Sequence, residues 1–182
     1  MPTSPMLDMG PCELIWGWGD SDAAELGRTL GGVKVLMETN AADIFEDQQG
    51  DAAVNAVLTG SVASVEATMT RLSAAQLARI LNTELDSDGN VPIENQVGCD
   101  LYDQSKALLI VPLCGNVPDP DPSRWLLLYR TYPIAGLELV YDKDTQRTFP
   151  VKFKVFVCQE TECLGKFGVA GLPDSASLLG GI

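Results

Sequence analysis

The sequence contains no histidine, and this absence removes several classes of active site at once. Imidazole is the commonest general acid–base group and a frequent metal ligand, so Ser-His-Asp catalysis, Cys-His catalysis and His-ligated metals are excluded. The sequence also lacks a Walker A motif, a dinucleotide-binding glycine fingerprint and a nucleophile elbow. We therefore expect a protein that has no enzymatic activity and needs no cofactor or metal.

Basic residues are scarce: 12 Lys and Arg stand against 25 Asp and Glu, which gives a formal net charge of −13. This balance disfavours a protein that grips nucleic acid, because neutralising phosphates requires clustered Lys and Arg. It fits either ordinary solubility or a surface that repels a polyanion. No Lys or Arg lies between Lys34 and Arg71, whereas that stretch holds Glu38, Asp43, Glu46, Asp47, Asp51 and Glu66. Four basic residues lie close together in the C-terminal third: Lys143, Arg147, Lys152 and Lys154. Such opposed regions fit head-to-tail assembly as well as plain solvated faces.

Long apolar runs are also missing. The longest, at residues 107–111, is too short to cross a bilayer, and the N-terminus has no secretory-signal pattern, so folding in a cytoplasm is expected. The five cysteines are scattered, and we expect most of them to be buried thiols. The spacing of Cys158 and Cys163 is only a weak zinc pattern, since no second half-site follows.

The apolar pattern predicts one mainly β domain over residues 1–182, built as a β-sandwich or partly closed barrel with one flanking α-helix and a long inter-strand loop. Alternating apolar residues predict a half-buried strand over residues 61–70. Ser73 and Gln76 form a capping-box pattern that begins a helix over residues 74–83. A hairpin is predicted from residues 136–157, with the side chains of Phe149, Val151, Phe153, Val155 and Val157 inward and those of Lys152 and Lys154 outward.

Three segments are predicted to lie outside the regular sheet: an N-terminal arm over residues 1–11, the long loop over residues 39–60 and a flexible C-terminal tail over residues 164–182. The long loop is acidic, yet it holds Ile44, Phe45, Val54, Val57 and Leu58. Exposed on a monomer, these side chains would form an adhesive patch, so we expect a neighbouring copy to cover them. The alternative is a solvated, disordered loop.

Other candidate motifs have simpler explanations. Residues 86–90 resemble a calcium loop only faintly, because Gly89 is misplaced and position twelve is Val97. Asp142 and Asp144 suit a tight turn better than carboxylate catalysis. Trp16, Trp18 and Trp125 could stack on a ligand, but core packing is the favoured interpretation.

Ordered patterns over residues 25–157 resemble the tail tube (major tail) proteins of tailed bacteriophages and, more loosely, their relatives in contractile injection systems. The patterns are the strand GVKVLME at residues 32–38, DQQGD at residues 47–51, VNAVLTG at residues 54–60, the following strand and capped helix, and LELVYDKDTQRTFPVKF at residues 137–153. The resemblance implies subunits that close into hexameric rings, which stack into a hollow tube in the virion tail. It also implies that residues 39–60 pack on neighbouring subunits.

The resemblance further implies an acidic lumen through which DNA slides without specific binding, because like charges disfavour contact within the screening length of about 8–10 Å. Glu38, Asp43, Glu46, Asp47, Asp51 and Glu66 are the candidate lumen residues. The expected partners are copies of the chain, the tape-measure protein and the tail terminator, with no membrane. Alternatives are another virion ring protein, such as a terminator or distal tail component, and a monomeric β-sandwich module that binds a ligand through its tryptophans.

Overall fold

A computed structural model describes residues 11–45, 47, 51–93, 97–115, 117–135 and 148–168. In these ranges the chain forms nine strands and one α-helix. In chain order they are β1 (Cys12–Trp16), β2 (Ala24–Glu25), β3 (Arg28–Phe45), β4 (Ala53–Thr70), α1 (Ala74–Ile80), β5 (Lys106–Cys114), β6 (Val117–Pro118), β7 (Leu126–Ala135), β8 (Phe149–Phe156) and β9 (Gly165–Phe167). Residues 1–10 of the predicted arm, residues 136–147, which include Asp142 and Asp144, and residues 169–182 lie outside the described residues. The flexible tail was predicted over residues 164–182, but Gly165–Phe167 form β9 in the sheet, so that part of the prediction is wrong.

The strands form one antiparallel sheet in the order β2-β1-β5-β7-β8-β4-β3, with β6 paired to β5 and β9 paired to β7. The sheet is not closed into a barrel. It is strongly curved, however, because β1 and β3 contact each other although four strands separate them in the sheet. The prediction of a mainly β fold with one flanking helix is confirmed.

Strand alternation directs one face of the curved sheet into the main core. This core joins Leu14 of β1, Leu108 of β5, Leu128 of β7, Phe153 of β8 and Val65 of β4. The predicted inward set of β4 is buried, and Lys152 and Lys154 point outward from β8 as predicted. Val157 was predicted inward but is exposed, because β8 ends at Phe156. Thr70 belongs to the polar half of the alternation over residues 61–70, yet it is buried, and its hydroxyl donates to the carbonyl of Arg28 at 3.3 Å.

A second core covers the opposite face of β1, β5 and β7. It contains Ile15, Trp18, Leu109, Val111, Trp125 and Leu127. The central strands are therefore buried on both faces, which explains why β5 is an unbroken apolar run in the sequence. Trp16 lies in the main core, so all three tryptophans are core residues rather than a surface platform for a ligand.

Helix α1 begins at the predicted cap. The Ser73 hydroxyl accepts from the Gln76 amide at 3.2 Å, and the Gln76 side chain accepts from the Ser73 amide at 2.9 Å. The helix ends at Ile80 instead of residue 83, because Asn82 adopts φ 51°, a left-handed conformation that stops the helix. Ala78 and Ile80 bury its inner face against the sheet.

The prediction of a long inter-strand loop over residues 39–60 is wrong. Both halves are regular strand, and only residues 46–52 connect β3 to β4. The pairing runs from Arg28↔Thr70 out to Phe45↔Ala53, with irregularities at Thr29/Val33, Asn40/Ala41 and Ile44/Phe45. The sequence concealed these strands because neither of their faces is buried, so no alternation of apolar and polar residues marks them.

The short connections are ordered by their own side chains. Asp86 accepts hydrogen bonds from the amides of Asp88 and Asn90 at 3.0 and 2.7 Å, which closes a turn. Asp119 is buried, although the Pro- and Asp-rich composition of residues 117–122 is typical of exposed turns. Of the cysteines, Cys158 is buried and Cys12 half-buried, whereas Cys99 and Cys163 are exposed, so the expectation of mostly buried thiols fails for two of the four described free thiols.

Candidate assembly surface

The most unusual part of the molecule is the outer half of the β3–β4 hairpin. Each strand has 18 residues, and every residue from Met37 to Phe45 and from Ala53 to Val62 is exposed. At 3.3–3.4 Å per residue, the exposed part extends about 30 Å beyond the core. A two-stranded ribbon with both faces in water is marginally stable by itself, so this hairpin is built as though something else will contact it.

The predicted interface residues all lie on this projecting ribbon. Ile44, Phe45, Val54, Val57 and Leu58 are exposed, with 71% of Leu58 and 57% of Phe45 accessible. Val57 lies opposite Ala42 and Leu58 opposite Ala41, so their side chains leave opposite faces of the ribbon. Apolar surface is therefore offered on both sides. The sequence reasoning missed Met37 and Val62, which extend this surface toward the core and are 55% and 58% accessible.

Strand β3 is also the last strand of the sheet. Its outer edge pairs with no strand in the described part of the chain, along a length of 18 residues. At the other end of the sheet, β2 has two residues. A long unpaired edge offers backbone N–H and C=O groups to another strand, and soluble proteins normally shorten or cover such edges. The exposed edge and the exposed apolar residues thus coincide on one element.

The candidate lumen acids divide into two groups. Glu38, Asp43, Asp47 and Asp51 are exposed, and Glu46 lies outside the described residues. Glu66 is different, because Lys152 donates to its carboxylate at 2.9 Å and Lys34 is its cross-strand neighbour. The bond from Lys152 lowers the pKa of Glu66 below its ordinary value, and Lys34 adds to the effect. Its negative charge is therefore compensated locally.

Lysines line the outward face of the sheet beside Glu66. Lys34 of β3, Glu66 of β4, Lys152 of β8 and Ile134 of β7 lie directly across from one another in one row. The next row places Leu36, Ser64, Lys154 and Tyr132 side by side. We call this surface, defined by Lys34, Lys152 and Lys154, the lysine face. The sequence indicated that Lys152 and Lys154 point outward, but only the register brings Lys34 beside them.

Two shallow grooves cross the lysine face. One of ≈510 Å³ lies between the Leu30–Gly32 bulge, Pro150 and Ile134, and one of ≈350 Å³ lies between Leu36, Val62 and Lys154. Ile134 and Lys152 line both grooves. Each groove is lined by apolar side chains, by two lysines and by one carboxylate, which is Glu66 in the larger groove and Glu38 in the smaller. Lysines therefore outnumber carboxylates in both linings, so the surface suits side chains that are partly apolar and partly anionic.

Among the described residues, no group of three or more His, Cys, Asp or Glu side chains is arranged to hold a metal ion. No helix in the same ranges has the length and apolar content needed to cross a membrane. No protein-family model matches the chain, and no curated protein matches it significantly in sequence.

Proposed function

We propose that the chain is a structural subunit of a virion, specifically a tail tube protein of a tailed bacteriophage. Copies made in the host cytoplasm would close into rings, for which the resemblance implies sixfold symmetry, and the rings would stack into the conduit that delivers DNA. Tape-measure and terminator proteins would complete the tail. The proposal rests on the sequence resemblance and on one observation, the projecting β3–β4 hairpin.

The hairpin supports an assembly role for a physical reason. Exposing Phe45, Val57, Leu58 and their neighbours to water costs about 25 cal/mol for each Å² of apolar surface, and a lone ribbon gains little in return. Contact with another copy would remove both the apolar surface and the free edge of β3 from water. A monomeric binding module has no use for such an element, and the tryptophans that it would need are buried.

The DNA conduit gives the candidate lumen acids their role in this proposal. Glu38, Asp43, Asp47 and Asp51 are exposed carboxylates that could face a lumen, while Glu66 contributes little repulsion because Lys152 compensates it. Glu46 remains a sequence prediction.

The test is to shorten the hairpin without disturbing the core. Replacing residues 41–59 by Asn-Gly places a two-residue turn directly after the Asn40↔Gly60 pair and keeps the register of the remaining strands. We expect a folded monomer with an unchanged near-ultraviolet spectrum, because the removed residues are exposed, while the full chain forms rings or tubes in electron micrographs.

The result that contradicts the proposal is a shortened protein that still assembles like the full chain, or a full chain that never assembles. Single rings without tubes would instead favour a terminator or distal tail component.

A further inference from the structure

The tip of the hairpin and the lysine face carry complementary chemistry. We propose that the tip of one copy docks on the lysine face of the next copy. This inference rests on the proposed function and adds which surface receives the hairpin. The tip comprises the described residues 41–45, 47 and 51–58. The receiving surface is the outward face of β3, β4, β8 and β7 around Lys34, Lys152 and Lys154.

Charge favours this pairing. The described acids of the tip are Asp43, Asp47 and Asp51, and no basic residue lies in the sequence between Lys34 and Arg71. On the receiving face, Lys152 forms a salt bridge with Glu66, which Lys34 also faces across the strands. Lys154 lies 5.5 Å from the centroid of the Phe156 ring. Within the described residues, neither Lys34 nor Lys154 forms a salt bridge of its own. In a chain with net charge −13, an exposed group of three lysines is an exception, and an acidic segment of an identical chain suits it.

The tip and the lysine face also match in their exposed apolar side chains. The tip exposes Phe45 and Leu58, and the grooves of the lysine face are lined by the exposed side chains of Leu30, Ile134 and Val62. Burying these groups against each other would supply attraction that charge alone does not, because exposed ion pairs contribute about 0–1 kcal/mol each.

The positions of the tip and of the lysine face in the sheet make the proposed contact intermolecular. The register Ser64↔Lys154 to Met69↔Phe149 places the larger groove near the Thr70 end of β4, whereas the tip projects from the opposite end. The two strands stay paired out to Phe45↔Ala53 and their outer residues are exposed, so the tip does not pack on the lysine face of its own chain. Each copy therefore offers a tip at one end and a receiving face at the other, which is the arrangement of a head-to-tail contact that generates rings or fibres.

The inference changes the role of three candidate lumen residues. Asp43, Asp47 and Asp51 would contact lysines of a neighbour rather than line the conduit. The two roles predict different results for the same substitution, since lumen acids can be reversed without loss of assembly and docking acids cannot.

The most direct test uses the unmodified sequence. Equal amounts of ¹⁴N- and ¹⁵N-labelled chain are unfolded, mixed and refolded together, allowed to assemble, and treated with a carbodiimide that joins carboxylates to amines in contact. We expect mixed-isotope cross-links between peptides that contain Asp43, Asp47 or Asp51 and peptides that contain Lys34, Lys152 or Lys154. Assemblies whose intermolecular cross-links all join other surfaces would overturn the docking inference while leaving the proposed function intact. A chain that stays monomeric would contradict both.

Charge-reversal substitutions test the same contact through the protein concentration that assembly requires. Reversing the tip (Asp43→Lys, Asp47→Lys, Asp51→Lys) or the face (Lys34→Glu, Lys154→Glu) should each raise the concentration needed for assembly about tenfold or more. Combining both sets in one chain should restore assembly to within about threefold of the original. Lys152 stays unchanged because it holds Glu66.

Matched controls separate a local contact from a change in net charge. Asp20→Lys, Asp88→Lys and Asp103→Lys repeat the tip reversal on exposed acids elsewhere, and Arg71→Glu with Lys166→Glu repeats the face reversal. These controls should assemble at the original concentration. Equal effects of control and test sets, or no rescue in a combined variant that circular dichroism shows to be folded, would refute the contact.

Discussion

At the scale of single residues, burial decides which charges stabilise the fold. Arg124 contacts two aspartates: Asp119 at 3.0 Å, whose side chain is 6% exposed, and Asp121 at 3.7 Å, whose side chain is 45% exposed. Asp119 also accepts from the Asp121 amide at 2.9 Å, and its carbonyl accepts from the Trp125 indole at 2.9 Å. The tight turn before β7 therefore depends on a buried aspartate.

We expect Asp119→Ala to lower the free energy of unfolding by about 2–4 kcal/mol, because it leaves a largely buried guanidinium without its closer partner. Asp121→Ala should cost clearly less than Asp119→Ala, since it removes only a solvated ion pair and one turn cap. Urea unfolding of the two variants measures the difference. Equal losses of unfolding free energy in the two variants would contradict the expectation that the more buried aspartate contributes more.

Two phenylalanines test whether burial also decides how much an apolar side chain contributes to stability. Phe153 is fully buried in the main core, whereas Phe45 is 57% exposed on the hairpin. We expect Phe153→Ala to cost about 3–5 kcal/mol of stability through the cavity it leaves. Phe45→Ala should cost well under 1 kcal/mol yet weaken assembly. Unfolding experiments on each variant measure the stability, and sedimentation measures the assembly. A loss of stability in Phe45→Ala comparable to that in Phe153→Ala would mean that the hairpin packs on its own core.

At the scale of elements, what the sequence predicted depends on whether an element has one buried face. Strands β4 and β8 were predictable where Ala63, Val65, Phe153 and Val155 alternate with polar residues, and α1 was predictable from its cap. The outer hairpin was not, because it is exposed on both faces and only backbone pairing defines it. Its apolar residues were nevertheless predictable as an exposed patch, because they stand out against the acidic residues that surround them in the sequence.

Strand β9 was not predictable either, because it has three residues and depends on close contact with β7. A Cβ at Gly165 would lie 2.3 Å from the carbonyl oxygen of Leu127, so only glycine fits. We expect Gly165→Ala to separate β9 from β7 and to raise amide hydrogen exchange across residues 165–167. Lys166→Ala is the matched control and should leave exchange unchanged. Protected amides in the glycine variant would show that the backbone can shift at little cost.

At the scale of the whole molecule, the sheet is asymmetric, with the hairpin tip projecting at one end and the lysine face, which we propose receives the tip, toward the other. The lysine face could not be predicted from sequence, because Lys34 and Lys152 are far apart along the chain and meet only through the register of three strands. Net charge of −13 on every copy opposes association, so local complementarity must outweigh general repulsion.

This asymmetry predicts that the Asn-Gly variant acts as a chain stopper. It retains the lysine face and lacks the tip, so it can accept a neighbour but cannot continue the series. A substoichiometric amount mixed with the full chain should shorten the assemblies seen in electron micrographs. The same variant with Lys34→Glu and Lys154→Glu can neither accept nor donate, and should leave assembly length unchanged. Equal shortening by both would contradict the head-to-tail arrangement.

We propose that this chain completes its structure only against copies of itself. Sedimentation velocity of the purified full chain across a concentration series measures this directly. We expect a species near the 19.5 kDa of one chain to give way to rings and then to much larger particles as the protein concentration rises. A single 19.5 kDa species that persists unchanged at every concentration would contradict it.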